Sequence, residues 1–237
     1  MLQQDYLAVL EAKSAAELRD HVVRFARGLG FERVAATTIV DRASGDCECI
    51  SVHNVPDPYL ELADDPEGLA CDPVSQHCKR SSMPIIWSQQ TYVAPGLGEK
   101  WEVQEVFGYG TGIALALHLP RGCHFMFGVD RRDPLPRSPE ELTRLVAEVQ
   151  LYAVHAQEAA ARLLQPAAKA EEAPALTPRE LECLRWTMEG KSAWEVGALL
   201  GITERTAAAH VNSAAHKLDC ASKFHAIVKA MRMGLIH

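Results

Sequence analysis

Apolar residues recur along this chain with two periods, and the places where the period switches mark its elements. Ser14-Ala15-Ala16-Glu17 has the form of a capping box, and Leu18, Val22 and Phe25 follow at spacings of four and three. A helix is predicted there, brought to an end by Gly28 and Gly30. Two β-rich runs come next, Arg33–Asp41 and Cys47–His53, with Ser44-Gly45-Asp46 between them, the pattern of a hairpin. Asn54–Ala70 is irregular around Pro56 and Pro58 and then acidic, with a short helix expected at its end. Met83–Trp87 reads as a brief strand, and Glu99–Phe107 as a helix holding Trp101. Thr111–Leu119 and His124–Asp130 read as strands joined at Pro120-Arg121-Gly122. Ser138 supplies an N-cap and Pro139 the first helical position, with acids in the first turn. A long helix is therefore predicted from Ser138 to about Leu164, through Leu142, Leu145, Val149 and Tyr152.

Past that helix the pattern lapses. Residues 166–175 are Pro, Ala and charge with no apolar period, and are read as a linker between a domain at 1–165 and another at 176–237. The second domain opens with another capping box, Thr177-Pro178-Arg179-Glu180, and a further box at Ser192-Ala193-Trp194-Glu195 starts a helix to about Leu200. After the turn at Gly201-Ile202, Thr203 is placed to cap a helix whose stripe is Ala207, Val211, Ala214 and Leu218. Ser222 opens a last helix with Phe224, Ile227, Val228 and Met231 on one side. Arg205, Ala208, Asn212, His216 and Lys217 fall on other faces of the helix after Thr203 and are expected to be free. Two helices joined by a tight turn, the second with polar and cationic groups on its free face, make a helix-turn-helix. The fold class expected is α+β: an N-terminal α-β-α sandwich around one sheet, then an all-α four-helix unit carrying the helix-turn-helix.

Charge sharpens that division. The net charge of −7 argues against a nucleic-acid partner until it is apportioned. From Pro174 onward eight Lys and Arg stand against six Asp and Glu, net +2, while the first 173 residues hold sixteen against twenty-five, net −9. A unit of only +2 grips phosphate weakly, which favours two copies acting together. No apolar run reaches the roughly 18 residues of a membrane span, and the start lacks the basic and apolar regions of a secretory signal. Seven cysteines without framework spacing point to a reducing cytoplasm.

With these residues in view, Leu176–Ile236 resembles the DNA-binding domain of LuxR-type regulators over its whole length. Glu180, Leu184 and Gly190 stand at that domain's hallmark positions. Physically, Glu180 closes a capping box, Leu184 packs under the central helices and Gly190 ends the first of them. The resemblance implies DNA contacts from Thr203, Arg205, Thr206, Asn212, Ser213, His216 and Lys217, with cations setting phosphate register and Arg205 and Asn212 reaching base edges. Relatives often carry a larger residue where this chain has Ala208, a departure that lowers the affinity expected of one copy.

The first 165 residues are similar to the autoinducer-binding domain of quorum-sensing LuxR regulators. Asn54, Pro56, Asp72, Pro73, Val74, Trp87 and Gly112 keep the family register. Val55, Tyr59 and Ala63 stand where the family has Tyr, Trp and Tyr. The resemblance implies a pocket for an acyl-homoserine lactone or analogue, lined by Asp72, Trp87, Tyr59, Val55, Ala63, Trp101, Val74 and Met126. A carboxylate at Asp72 suits the amide N–H of such a molecule, and unpaired polar groups there cost about 1–3 kcal/mol each. Tyr59 is expected to donate where the family uses an indole; Val55 donates nothing. Read from the residues alone, Asp72 is equally an N-cap ahead of Pro73, and Trp87 and Trp101 are equally core tryptophans.

The remaining chemical signals are weaker. Cys47-x-Cys49, Cys71, His77-Cys78 and Cys123-His124 lack the paired spacing of a zinc site or the glycine turn of a nucleophile. No G-x-x-x-x-G-K-[ST] occurs, and a phosphorylated receiver, with strict βα alternation, does not fit a front half of hairpins. The expectation is a cytoplasmic, non-enzymatic, ligand-responsive transcriptional regulator, without cofactor or metal. It acts as a homodimer on a pseudo-palindromic promoter site, with RNA polymerase as a candidate partner and no membrane contact. The alternative is a LuxR-type regulator with a non-lactone ligand, or one that binds DNA independently of any ligand.

Overall fold

The computed structural model describes residues 2–41, 47–63, 71–120, 122–164 and 175–236. Two compact units are present, dividing near residue 166. The turn 44–46, the acidic stretch 64–70 and the expected linker, apart from Ala175, lie outside the described residues.

The front unit is built on one five-stranded sheet: β1 (Arg33–Asp41), β2 (Cys47–His53), β3 (Ile85–Trp87), β4 (Thr111–Leu119) and β5 (Cys123–Arg131), in the order β2-β1-β5-β4-β3. β1 runs antiparallel to β5, β5 to β4 and β4 to β3. β1, β2 and β4 span the residues their alternation predicts. β3 starts at Ile85 rather than Met83, because Pro84 has no N–H for a ladder, and Met83 is left exposed.

Opposed residues of antiparallel strands share a face, so the register sorts the side chains. Val34, Val129 and Ile113 fall in one row and Ala36, Phe127 and Leu115 in the next, all buried. These meet the apolar stripes of α1 (Leu2–Leu10), α2 (Ala15–Gly28) and α7 (Pro139–Leu163). Phe25 of α2 stacks on Tyr152 of α7 with centroids 3.6 Å apart. Arg162 ties the end of α7 to the carbonyls of Leu10 and Ala12, at 2.8 Å each.

The other face carries α3 (Asp57–Ala63), α4 (Pro73–Arg80), α5 (Gln89–Val93) and α6 (Gly98–Glu105), completing an α-β-α arrangement. α4 escapes periodicity because it is polar almost throughout and buries only Cys78; α5 is too short to show a stripe. Asn54 fixes the route from β2 into this layer. Its Oδ1 accepts the Val34 N–H at 2.8 Å and its Nδ2 donates to the Glu32 carbonyl at 2.8 Å.

The second unit is α8 (Pro178–Met188), α9 (Ala193–Leu200), α10 (Glu204–Lys217) and α11 (Lys223–Arg232). Thr177, Ser192, Thr203 and Ser222 cap the four helices as their sequence positions predict. Leu184, Val196, Ala207, Val211, Ala214 and Leu218 form the core. Gly201 turns the chain at φ +67°, a left-handed conformation. A Cβ on Gly197 would stand 2.8 Å from the Ile202 carbonyl, so the close approach of α9 to that turn requires glycine. Among the described residues no helix is long and apolar enough to cross a membrane.

Candidate ligand pocket and nucleic-acid interface

On the α3–α6 side of the sheet the register sets out three rows. Arg33, Asp130, Gly112 and Trp87 lie in one, Ala35, Gly128, Ala114 and Ile85 in the next, and Thr37, Met126 and Ala116 in a third. The middle of this face is therefore a low floor of glycine and alanine. At one end stands an aromatic group, with Trp87, Tyr92 and Tyr109 buried and Val55, Tyr59, Val74, Trp101 and Phe107 packed around them. Residues from Val55 to Trp101, scattered through the sequence, are thus brought together. Met126 lies in the adjoining cluster, which shares Val74 and Ile85. Ala63 ends α3, and its side chain lies outside the described residues.

Asp72 takes the N-cap role its sequence context offered and keeps its other oxygen inside the aromatic group. Its Oδ2 caps α4, accepting the Ser75 N–H at 2.7 Å, while its Oδ1 accepts the Tyr92 hydroxyl at 2.9 Å inside the aromatic group. The Lys100 ammonium stands 3.7 Å from Oδ1. Burial, with the Asp72 charge adding to it, drives the Tyr92 phenol far above its usual range and keeps it a donor. Trp101 donates its indole N–H to the Gly110 carbonyl at 3.0 Å, a bond that orients the ring against the cluster. Tyr59 stacks on Tyr109, centroids 4.2 Å apart and planes 20° from parallel.

Pattern alone does not reveal Tyr92, Gln104, Tyr109 and Asp130. Asp130 sits two strands from Trp87, yet its carboxylate accepts the Trp87 indole N–H across Gly112. The bond exists because Gly112 is bare: a Cβ there would come 2.6 Å from Trp87 Nε1 and collide with Asp130 Oδ1. Burial of the carboxyl pushes Asp130 up to about 8, with the Trp87 bond pulling against it and the nearby Asp72 charge adding to the rise. Of four buried side-chain atoms without a hydrogen-bond partner among the described residues, two belong here, Tyr109 Oη and Gln104 Nε2. Gly112, placed at a family position, was the sequence's one pointer to Asp130; register was needed to read it.

In the second unit Thr203, Arg205, Thr206, Asn212, His216 and Lys217 are exposed on α10, and Ser213 is partly buried. Thr203 and Thr206 join in the N-cap: Thr203 Oγ1 accepts the Thr206 N–H at 3.1 Å. Lys217, expected to be free, is tethered, and Ser213 shares its partner. Ser213 donates to Glu180 Oε1 at 2.7 Å, and Lys217 to Glu180 Oε2 at 2.8 Å. Glu180 is almost fully buried and also accepts the Thr177 N–H at 2.7 Å. Burial alone would raise its pKa, but the Lys217, Ser213 and Thr177 donors outweigh that and hold it at about 2. A buried carboxylate on α8 tethers these two side chains, Lys217 keeping part of its surface exposed, and Arg205, Asn212 and His216 are the exposed polar candidates outside that network. On α11 Ile227 is buried, whereas Phe224, Val228 and Met231 form an exposed stripe. Among the described residues no three His, Cys, Asp or Glu side chains group as metal ligands.

Comparison with known proteins matches both units. Residues 14–160 fit the family model described as an autoinducer binding domain, and residues 174–230 that of bacterial regulatory proteins of the luxR family. The chain is 31% identical to the transcriptional activator protein SolR of Ralstonia nicotianae, over 99% of this chain and 98% of that protein. It is 26% identical to the transcriptional activator protein AhyR of Aeromonas hydrophila, over 98% and 90%. Among solved structures, SdiA of Escherichia coli superposes with a TM-score of 0.76 at 22% identity, over 98% of this chain and 96% of that one. That likeness is one of fold.

Proposed function

The chain belongs to the LuxR family of bacterial regulatory proteins and is an autoinducer-binding transcriptional regulator; from that premise we propose that its signal is an uncharged acyl-homoserine lactone or close analogue, bound on the small-residue face of the sheet. The observation that carries this is the convergence of Val55, Tyr59, Asp72, Val74, Trp87 and Trp101 around one buried aromatic group. Its floor is low, with Ala35, Gly128 and Ala114 in one cross-strand row, and the apolar side chains packed around it suit an acyl chain. Asp72 takes the amide N–H. The reading includes no turnover: the molecule leaves as it entered.

The protein acts as a homodimer in the cytoplasm. Support comes from apolar side chains that the described residues leave exposed: Leu151 and Val154 on the long helix α7, and Phe224, Val228 and Met231 one turn apart along α11. Pairing sets the spacing of two helix-turn-helix units, so that each α10 enters the major groove of one half of a pseudo-palindromic site. Arg205, Asn212 and His216 read that half-site, and Thr203, Thr206, Ser213 and Lys217 hold the helix that carries them. A signal that binds only the ordered dimer stabilises it by about 2.7 kcal/mol at a hundredfold excess over Kd.

The test is purification of the chain from cells grown with and without N-octanoyl-homoserine lactone. Mass spectrometry of released molecules is expected to return the lactone unchanged, and selection from a random duplex library to recover a two-fold symmetric site only from the loaded protein. Equal DNA retention by both preparations would refute signal dependence.

A further inference from the structure

The face that holds Asp72 contains a second carboxyl group. Asp130 rises from β5 in the same cross-strand row as Gly112 and Trp87, and the Trp87 indole tethers it through the space where Gly112 has no side chain. Tyr59 and Tyr109 lie within electrostatic reach of it, stacked on one another, and Asp72 faces it across the aromatic group. Arg33, its neighbour across the β1–β5 ladder, spends its Nε on the Phe107 carbonyl at 3.1 Å.

Two unpaired polar atoms lie beside this carboxyl and Asp72. Tyr109 Oη is buried with no partner, and that burial above all favours its protonated, donating form. Gln104 Nε2 is likewise buried and unpartnered, close enough to Tyr92 to pull its pKa down against burial without completing a hydrogen bond. An amide nitrogen of this kind only donates. Folded proteins pair such atoms almost without exception, so these orphans mark a place where something else supplies the acceptor.

We propose that Asp130 is a specificity-determining residue of the signal pocket: with Tyr109 and Gln104 it forms a donor station, separate from Asp72, that receives a carbonyl oxygen of an uncharged ligand. The inference rests on the pocket reading above. Asp72 accepts and the station donates, so the pair reads a molecule carrying an N–H and a carbonyl a few bonds apart. A carboxylate-bearing ligand is excluded, since it would meet two acidic groups. Near neutral pH the Asp130 carboxyl keeps its proton; one oxygen accepts from Trp87 and the other donates.

Calorimetric titration of the full chain with two pairs of probes tests this. One pair is N-octanoyl-homoserine lactone and its tetrahydrofuran counterpart, which lacks the ring carbonyl. The other is N-(3-oxooctanoyl)-homoserine lactone and the unsubstituted octanoyl lactone. The wild-type protein is expected to favour the carbonyl-bearing member of at least one pair by about tenfold or more. Asp130→Leu is expected to bring that ratio within about twofold while still binding the less oxygenated member. Asp130→Asn, which still accepts from Trp87 and donates an N–H, is expected to keep most of it and guards against a folding defect in the leucine variant. A ratio near one in the wild type, or one that survives Asp130→Leu, overturns the proposal and leaves the orphans to ordered water. Failure of the wild type to bind any probe overturns the lactone reading itself, and the station with it.

Discussion

The ammonium of Lys217, on α10, lies 2.8 Å from the buried carboxylate of Glu180, on α8. The same carboxylate accepts from the Ser213 hydroxyl and the Thr177 N–H, so one side chain both starts α8 and fixes the rotation of α10 about its axis. That rotation decides which residues face outward. A capping residue in the sense of the sequence pattern is therefore also the part that aims the recognition helix.

Glu180→Gln removes the charge while keeping the shape. Lys217 then loses its partner, and a loss on the order of 2–3 kcal/mol in the unfolding free energy of the second unit is expected. The folded carboxyl sits at about 2, below its ordinary value of 4.5. Its stabilisation is thus complete above that ordinary value and is lost as pH falls from there through about 2. Urea midpoints measured across this range are expected to fall steeply for the wild type and to be flatter for Glu180→Gln; parallel curves would remove the ion pair from the account.

Exposed and tethered cations on α10 are expected to behave differently. Arg205→Ala leaves the unfolding midpoint unchanged and lowers DNA affinity, with the slope of log K against log salt reduced by about 1. Lys217→Ala lowers both affinity and the midpoint, because it also uncovers Glu180. Fluorescence anisotropy over a salt series, beside thermal melts, separates the two; identical signatures would show that Lys217 is not held.

Asp72→Asn keeps an N-cap of nearly equal quality for α4, since asparagine caps as well as aspartate. The melting profile is expected to survive and the response to N-octanoyl-homoserine lactone to weaken by about tenfold or more, as the charged acceptor is lost. Asp72→Ala is expected to destabilise as well, by about 1 kcal/mol for the cap alone. A dose response unmoved by Asp72→Asn would return Asp72 to a purely structural role.

Asp130 gives a pH signature of opposite sign. Its folded value of about 8 lies above the ordinary 3.8, so the folded state holds a proton that the unfolded chain releases, and stability falls as pH rises between those values. Asp72, Tyr59, Tyr109 and Arg33 surround it, and Lys100 stands against Asp72. Asp130→Asn is therefore expected to stabilise the ligand-free protein progressively from pH 4 to 8. The gain is on the order of 1–2 kcal/mol, because the residue keeps part of its surface and solvent screens it. Equal midpoints at pH 8 would place the proton elsewhere.

Much of this architecture is legible in the sequence for physical reasons. Strands with one buried face alternate, so β1 and β4 could be bounded to the residue; capping boxes state their own helix starts, as at Thr177 and Ser192. What stays hidden depends on contacts between distant segments. α4 is polar along its length, and only the cap at Asp72 announces it. Asp130 looks like the last residue of a strand until the ladder sets it beside Gly112 and Trp87. Lys217 and Ser213 fall on the outer side of a helical wheel. Only the fold of α8 against α10 shows that Glu180 tethers them.

The bare position at Gly112 constrains how this sensor can diverge. Any mutation there adds at least a methyl group between an indole and a carboxyl that now touch, so a single step severs both from their shared geometry. Changes at Asp130 meet no such barrier, since glycine tolerates whatever stands beside it. Descendants of this gene that acquire a new signal are accordingly expected to do so by exchanging the acid first, with the glycine inherited as a silent hinge of selectivity.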